Sequence, residues 1–291
     1  MSETNNPKKR IRSSLARRNL QKFLSNRLSI LGGAILLLLI LFCVFAPLLT
    51  KYDPTIIDPS MKSLSPSAEH IFGTDRVGRD LFARILYGGR VSIFIGIVSA
   101  IGAAAIGVVM GCISGYYGGL IDKAMLYISE LFMSFPQMLI VLICVGFMGQ
   151  GLLNLVWIFT LTGWGATHRI VRGRIMSLKE EPFVESCRAN GIGGLSIMFR
   201  QLLPNTLGPV IISITLSTAG YVLQEAGLSF LGLGVPSEVP TWGNIINAAK
   251  RLDIIQTEPL LWILPGVAIS MFVLAVNFFG DGLRDIFDPA Q

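Results

Sequence analysis

The sequence is poor in charge. Only 14% of its 291 residues are Asp, Glu, Lys or Arg, against about 25% in an ordinary soluble domain. A soluble chain of this length needs more charge to cover its surface, so a soluble enzyme, a disordered chain and a collagen-like one are excluded. Histidine is scarce as well: His70 and His168 stand 98 positions apart, too few to suggest a metal cluster. Cys43, Cys112, Cys144 and Cys187 show neither paired nor C-x-x-C spacing, so neither disulfides nor a metal site is indicated. They read as small apolar fillers. No glycine is followed by lysine, which removes the phosphate-cradling G-x-x-x-x-G-K-[ST] loop. The run from Gly227 to Gly232 has the wrong spacing for a nucleophile elbow. No catalytic residues are assigned.

What the chain has is apolar length. Fifty-two per cent of it is apolar, with a mean hydropathy of +0.63. A membrane-crossing helix needs about 20 apolar residues, and uncharged stretches of that order cover residues 30–49, 91–113, 131–167, 201–224 and 259–280. The third is too long for one span and carries a Met148-Gly149-Gln150-Gly151 break, so it counts as two. The expectation is an all-α integral membrane protein with six transmembrane helices. Residues 30–49 include 14 Leu, Ile, Phe or Val, which favours insertion by about 4–8 kcal/mol. Their length, and the passage into Lys51-Tyr52-Asp53-Pro54, argue against a cleaved signal peptide.

The net charge is +6, and its placement decides its meaning. Eight cations precede the first span, with Glu3 the only acid among them. That suits anionic lipid head groups better than nucleic acid. With the N-terminus inside, cytoplasmic segments hold sixteen cations and external segments eight, so both termini are expected in the cytoplasm. The expected organisation is a basic tail or interfacial helix over 1–29, a first span over 30–50 and an extracytoplasmic loop over 51–90. A core over 91–281 with a cytoplasmic loop at 168–208 follows, then a tail over 282–291.

Three polar features stand out. In 51–90, Asp75, Arg76, Arg79, Asp80 and Arg84 alternate with glycines, as expected of a loop that pairs internally. In 168–208, Glu180-Glu181-Pro182 opens a short helix that Gly191 closes. A second short helix, with Leu195, Met198, Phe199 and Leu202 on one face, is expected to stop at Pro204. Two short helices at a glycine corner make a knob suited to docking. Glu225, near the outer end of the fifth span, is expected to face the mouth of a pathway, because an acid in a bilayer usually faces a cavity or a partner.

Glu185-Ser186-Cys187, Gly191 and Leu203-Pro204 resemble the E-A-A…G…I-x-L-P loop of type I ABC importer permeases. Here Ser186-Cys187 stand for Ala-Ala and Gln201 for the usual Ile. The run G-T-D-R-V-G-R-D-L-F-A-R, the segment from Gly227 to Gly243 and the closing run from Gly280 to Pro289 are similar to the "C" permease subunit of the peptide/nickel branch. The resemblance implies six helices and a coupling helix carrying Glu185, Ser186, Cys187, Arg188, Ala189 and Gly191, with Leu203 and Pro204 behind it. Its implied partners are a second homologous permease, two ATPase subunits, an extracytoplasmic substrate-binding protein and membrane lipid. ATP and Mg are implied in the ATPases, with no cofactor in this chain. The cargo implied is a di- or oligopeptide; nickel complexes and glutathione-like compounds are served by similar chains. A stand-alone ion-coupled transporter or channel competes with this reading, but the central spans are almost free of charge.

Overall fold

The computed structural model describes residues 26–287. The expected basic tail or interfacial helix over 1–29 lies outside the described residues except at its end, as do positions 288–291 of the expected closing tail. Regular structure among the described residues is helical, with one isolated bridge between Thr74 and Asp80.

Helix α1 (Arg27–Val44) starts where the Asn26 side chain accepts from the Leu28 and Ser29 amides, and it is apolar on all sides. A helix of that kind belongs in lipid or in a large core. Helix α2 (Leu81–Tyr117) runs for 37 residues, or roughly 55 Å at 1.5 Å per residue. It begins ten positions before the expected 91 because Asp80 caps it, accepting from the Ala83 amide at 2.7 Å. Helices α3 (Gly119–Ser134), α4 (Gln137–Met148), α5 (Leu152–Thr162) and α6 (Gly165–Leu178) follow.

The uncharged stretch 131–167 is therefore broken in two places besides the expected Met148–Gly151 turn. Pro136 lacks an amide proton and disfavours helical geometry in Phe135, and α3 meets α4 there at 90°. Gly163 and Trp164 interrupt the path from α5 to α6. By length and composition, four helices among the described residues can cross a membrane: Arg27–Val44, Leu81–Tyr117, Gly194–Phe230 and Leu260–Phe287. The bent pair α3–α4 passes the same test only if its two halves are counted as one broken span.

The coupling-loop expectation needs one correction. After α7 (Pro182–Ala189), the chain winds from Gly194 to Phe230 without the stop expected at Pro204. A π-helical stretch, Ile197–Leu202, and a 3-10 turn, Leu203–Thr206, carry the chain past the proline into α8 (Leu207–Phe230). Changing the hydrogen-bond step from i+5 to i+3 avoids the missing donor and the ring clash that Pro204 would impose on a regular helix. Beyond lie α9 (Trp242–Ala248), α10 (Leu252–Thr257) and α11 (Leu260–Phe287).

The long helix α2 is the spine. Gly107, Gly111 and Gly115 recur every fourth residue, and a Cβ on any of them would fall within 2.9 Å of α6 atoms. Small residues at this spacing let membrane helices approach closely. The first half of α2 packs on α8 and, through Cys43, Ile93, Val222, Trp242 and Phe272, on α1, α9 and α11. Asn26 donates to Asp285 at 2.9 Å, so the start of α1 and the end of α11 lie at the same end of the bundle.

Candidate functional site

At the end of the bundle opposite α9, α7 forms the expected two-turn helix. Pro182 occupies its first turn, Glu185 sits near the positive end and Arg188 near the negative end, each favoured there by the helix dipole. Asn190 terminates it, and Gly191 adopts φ +74. The Gly191 and Ile192 amides donate back to the Arg188 and Cys187 carbonyls, 3.0 Å each, closing the helix as a left-handed glycine does.

This knob has a dry root and a bare tip. Val184 is its buried residue, packed with Ile197, Met198 and Leu202 against Cys112, Val171 and Ile175. Glu185, Ser186, Arg188, Ala189 and Gly191 are exposed, Cys187 and Leu203 half-buried, and Pro204 exposed. Phe183, Ile192 and Leu195 add exposed apolar surface. Two contacts tie the knob to the end of α2: the Arg188 guanidinium lies 5.6 Å from the Tyr116 ring centre, and the same ring lies against Gly194. Beside it, Arg172 on α6 grips Asp122 on α3 with two hydrogen bonds, 2.5 and 2.6 Å, and the Ser114 hydroxyl donates to the same carboxylate. This brace was not expected from sequence, where Asp122 stands beside Lys123 and Arg172 between Arg169 and Arg174.

At the other end, the polar loop pairs as expected only in part. Asp75 accepts from Arg79 at 2.8 Å, with Arg84 at 3.9 Å. Asp80 binds the His70 ring, 2.8 Å, and His70 stacks on Tyr52. Arg76 turns away to Glu258 and Asp253, at 3.0 and 3.4 Å, and fastens this loop to the segment before α11.

Glu225 is 0% exposed within this chain. Ser92 on α2 donates to one oxygen at 2.8 Å and Ser229 to the other at 2.7 Å. Ser92 in turn accepts from the Trp242 amide at 3.3 Å. The Trp242 indole donates to the Ile85 carbonyl at 3.0 Å. The segment from Gly227 to Gly243 thus folds back on α2, stapled by Asn244, whose amide group donates to the carbonyls of Val235, Pro236 and Val239 at 3.0–3.1 Å. A further polar contact missed in sequence joins two helices, Gln224 to Gln137 at 3.1 Å.

Among the described residues, no group of three or more His, Cys, Asp or Glu side chains is placed to hold a metal ion. Long apolar helices about a glycine-packed spine, with a capped knob at one end, define a helical membrane protein. The chain belongs to the family of binding-protein-dependent transport system inner membrane components, whose model matches residues 107–291. Residues 14–66 match the N-terminal TM domain of oligopeptide transport permease C. The dipeptide transport system permease protein DppC of Alkalihalophilus pseudofirmus (strain ATCC BAA-2126 / JCM 17055 / OF4) is 39% identical over 264 residues, 91% of this chain and 86% of that protein. The oligopeptide transport system permease protein OppC of Bacillus subtilis (strain 168) is 36% identical over 268 residues, 92% and 87% of the two chains. The DppC of the same organism is 37% identical over 264 residues, 91% and 82%. The chain is accordingly a multi-pass permease subunit of an ABC transporter in the bacterial inner membrane, and it is not an enzyme. ATPase activity lies in partner subunits. The reading as a self-contained transporter or channel is not favoured.

Proposed function

We propose that this chain forms half of the pathway of an importer for di- or oligopeptides, paired with a second homologous permease. Two ATPase subunits, which hold ATP and Mg, and an extracytoplasmic binding protein complete it. The chain crosses the membrane six times with both termini in the cytoplasm. The hydrogen bond from Asn26 to Asp285 supports termini on one side, and the sixteen-to-eight cation bias supports the cytoplasmic side. The tail, first span, outer loop, core and closing tail keep the order expected above. Peptide as cargo rests on the relatives, which are named dipeptide and oligopeptide transport permeases.

The observation that carries the coupling assignment is the knob: exposed Glu185, Ser186, Arg188, Ala189 and Gly191 on a root buried against α2 and α6. Together with Cys187, Leu203 and Pro204 it is the element that seats in an ATPase subunit. A rigid root transmits a displacement of the tip to the spanning helices as one body. Glu225 serves the outer end of the pathway indirectly, by holding α9 against α2. The test is the composition of the complex that co-purifies with the tagged chain in mild detergent. One different permease and two ATPases are expected. Recovery of the chain alone, under conditions that keep known importers intact, would overturn the reading.

A further inference from the structure

A groove of about 410 Å³ runs between α1 and the first third of α2, walled by Ile40, Val44, Phe94 and Ile97. Its lining is almost entirely apolar apart from Arg90. The helices touch just beside it, since a Cβ on Gly89 would lie 2.4 Å from the Cys43 sulfur. Arg90 is therefore level with the C-terminal end of α1, and Ile97, seven residues on, lies roughly 10 Å deeper. Arg90 is exposed. Its guanidinium lies 5.4 Å from the Tyr87 ring centre, and none of the salt bridges among the described residues includes it.

We propose that this groove is a site for one glycerophospholipid, its phosphate held by Arg90 and an acyl chain laid between α1 and α2. A guanidinium presents a planar fork of donors that matches phosphate. A neighbouring apolar helix would fill the groove equally well but would bury Arg90 without an acceptor, which is costly in hydrocarbon. A phospholipid supplies the anion at the rim and the hydrocarbon below it. The site depends on the chain's place in a membrane and not on its cargo or on the docking of the knob.

The intact importer is reconstituted in nanodiscs of phosphatidylglycerol and phosphatidylethanolamine, then released for native mass spectrometry. The wild-type chain is expected to keep one phospholipid under activation that strips the bulk lipid. Retention is expected to fall about tenfold in Arg90→Gln, the loss of one charge-assisted contact. Ile97→Trp, which fills the groove and leaves the arginine, is expected to lower it as well. Assembly with the other subunits serves as the folding check for both variants. Equal retention by wild type and Arg90→Gln would overturn the proposal and reduce Arg90 to a side chain reaching for the interface. A disulfide from Ile97→Cys to a cysteine on the second permease, formed in membranes, would overturn it in favour of a protein occupant.

Discussion

The two ends of α2 solve one problem in different ways. At each end an acid ties a broken segment to the spine. Beside the knob, Asp122 meets a cation, Arg172, and both side chains keep some exposure, 13% and 22%. At the outer end, Glu225 is wholly buried and its hydrogen-bond donors are hydroxyls, Ser92 and Ser229. An ion pair near water is held by modest electrostatics and weakens with salt. A buried carboxyl satisfied by neutral donors is held by the cost of leaving those groups unpaired. The tie beside the knob thus answers to ionic strength, and the tie at the opposite end to the burial of its hydroxyl partners.

Substitutions at the two ends should separate these cases. The largest effect is expected from Glu225→Ala, which orphans two buried hydroxyls and opens a cavity, at about 3 kcal/mol. Glu225→Gln keeps one acceptor and should cost less than half of that. Thermal unfolding of the detergent-purified complex, followed by thiol labelling of buried Cys43, reads both; equal stability of all three proteins would refute the outer tie. Asp122→Ala removes the Arg172 brace and should cost about 2 kcal/mol. The Asp122→Ala loss should shrink in high salt, whereas the Glu225→Ala loss should not.

Smaller effects come from the backbone and from a single hydroxyl. Gly191→Val forces a β-branched residue to φ +74, although nothing lies within 4 Å to clash with it. The strain should cost about 1–2 kcal/mol, confined to the knob. Membrane insertion should be normal while uptake no longer follows ATP hydrolysis; full uptake would count against docking. Ser92→Ala, which leaves Glu225 and the Trp242 amide each one partner short, should cost about 1 kcal/mol. An additive double variant with Glu225→Gln would show that the two do not act as one network.

The helical class, the Gly191-closed knob and the turn at Met148–Gly151 were legible because each rests on local rules: apolar run length, a glycine at a helix end, a glycine-rich break. Three features were not. Pro136 reads as a candidate kink within a span, but hydropathy counts apolar residues and not missing donors, so the 90° size of the bend was not legible. Pro204 reads as a stop locally, yet packing of Ile197, Met198 and Leu202 around it stabilises a π-to-3-10 passage that no local rule favours. The partners of Glu225 were hidden because Ser92 and Ser229 are ordinary small residues in sequence. Ser92 is brought to it by α2–α8 packing across 133 positions.

The most direct test of the account is whether the knob touches an ATPase subunit during the transport cycle. A cysteine introduced by Ser186→Cys, with Cys187→Ser to remove the neighbouring thiol, is paired with cysteines placed along the groove of each co-purified ATPase. In membranes the account predicts a disulfide to one ATPase whose yield changes when ATP is added, and its loss of yield in Gly191→Val. No cross-link at any groove position, in a complex that still imports its cargo, would contradict it.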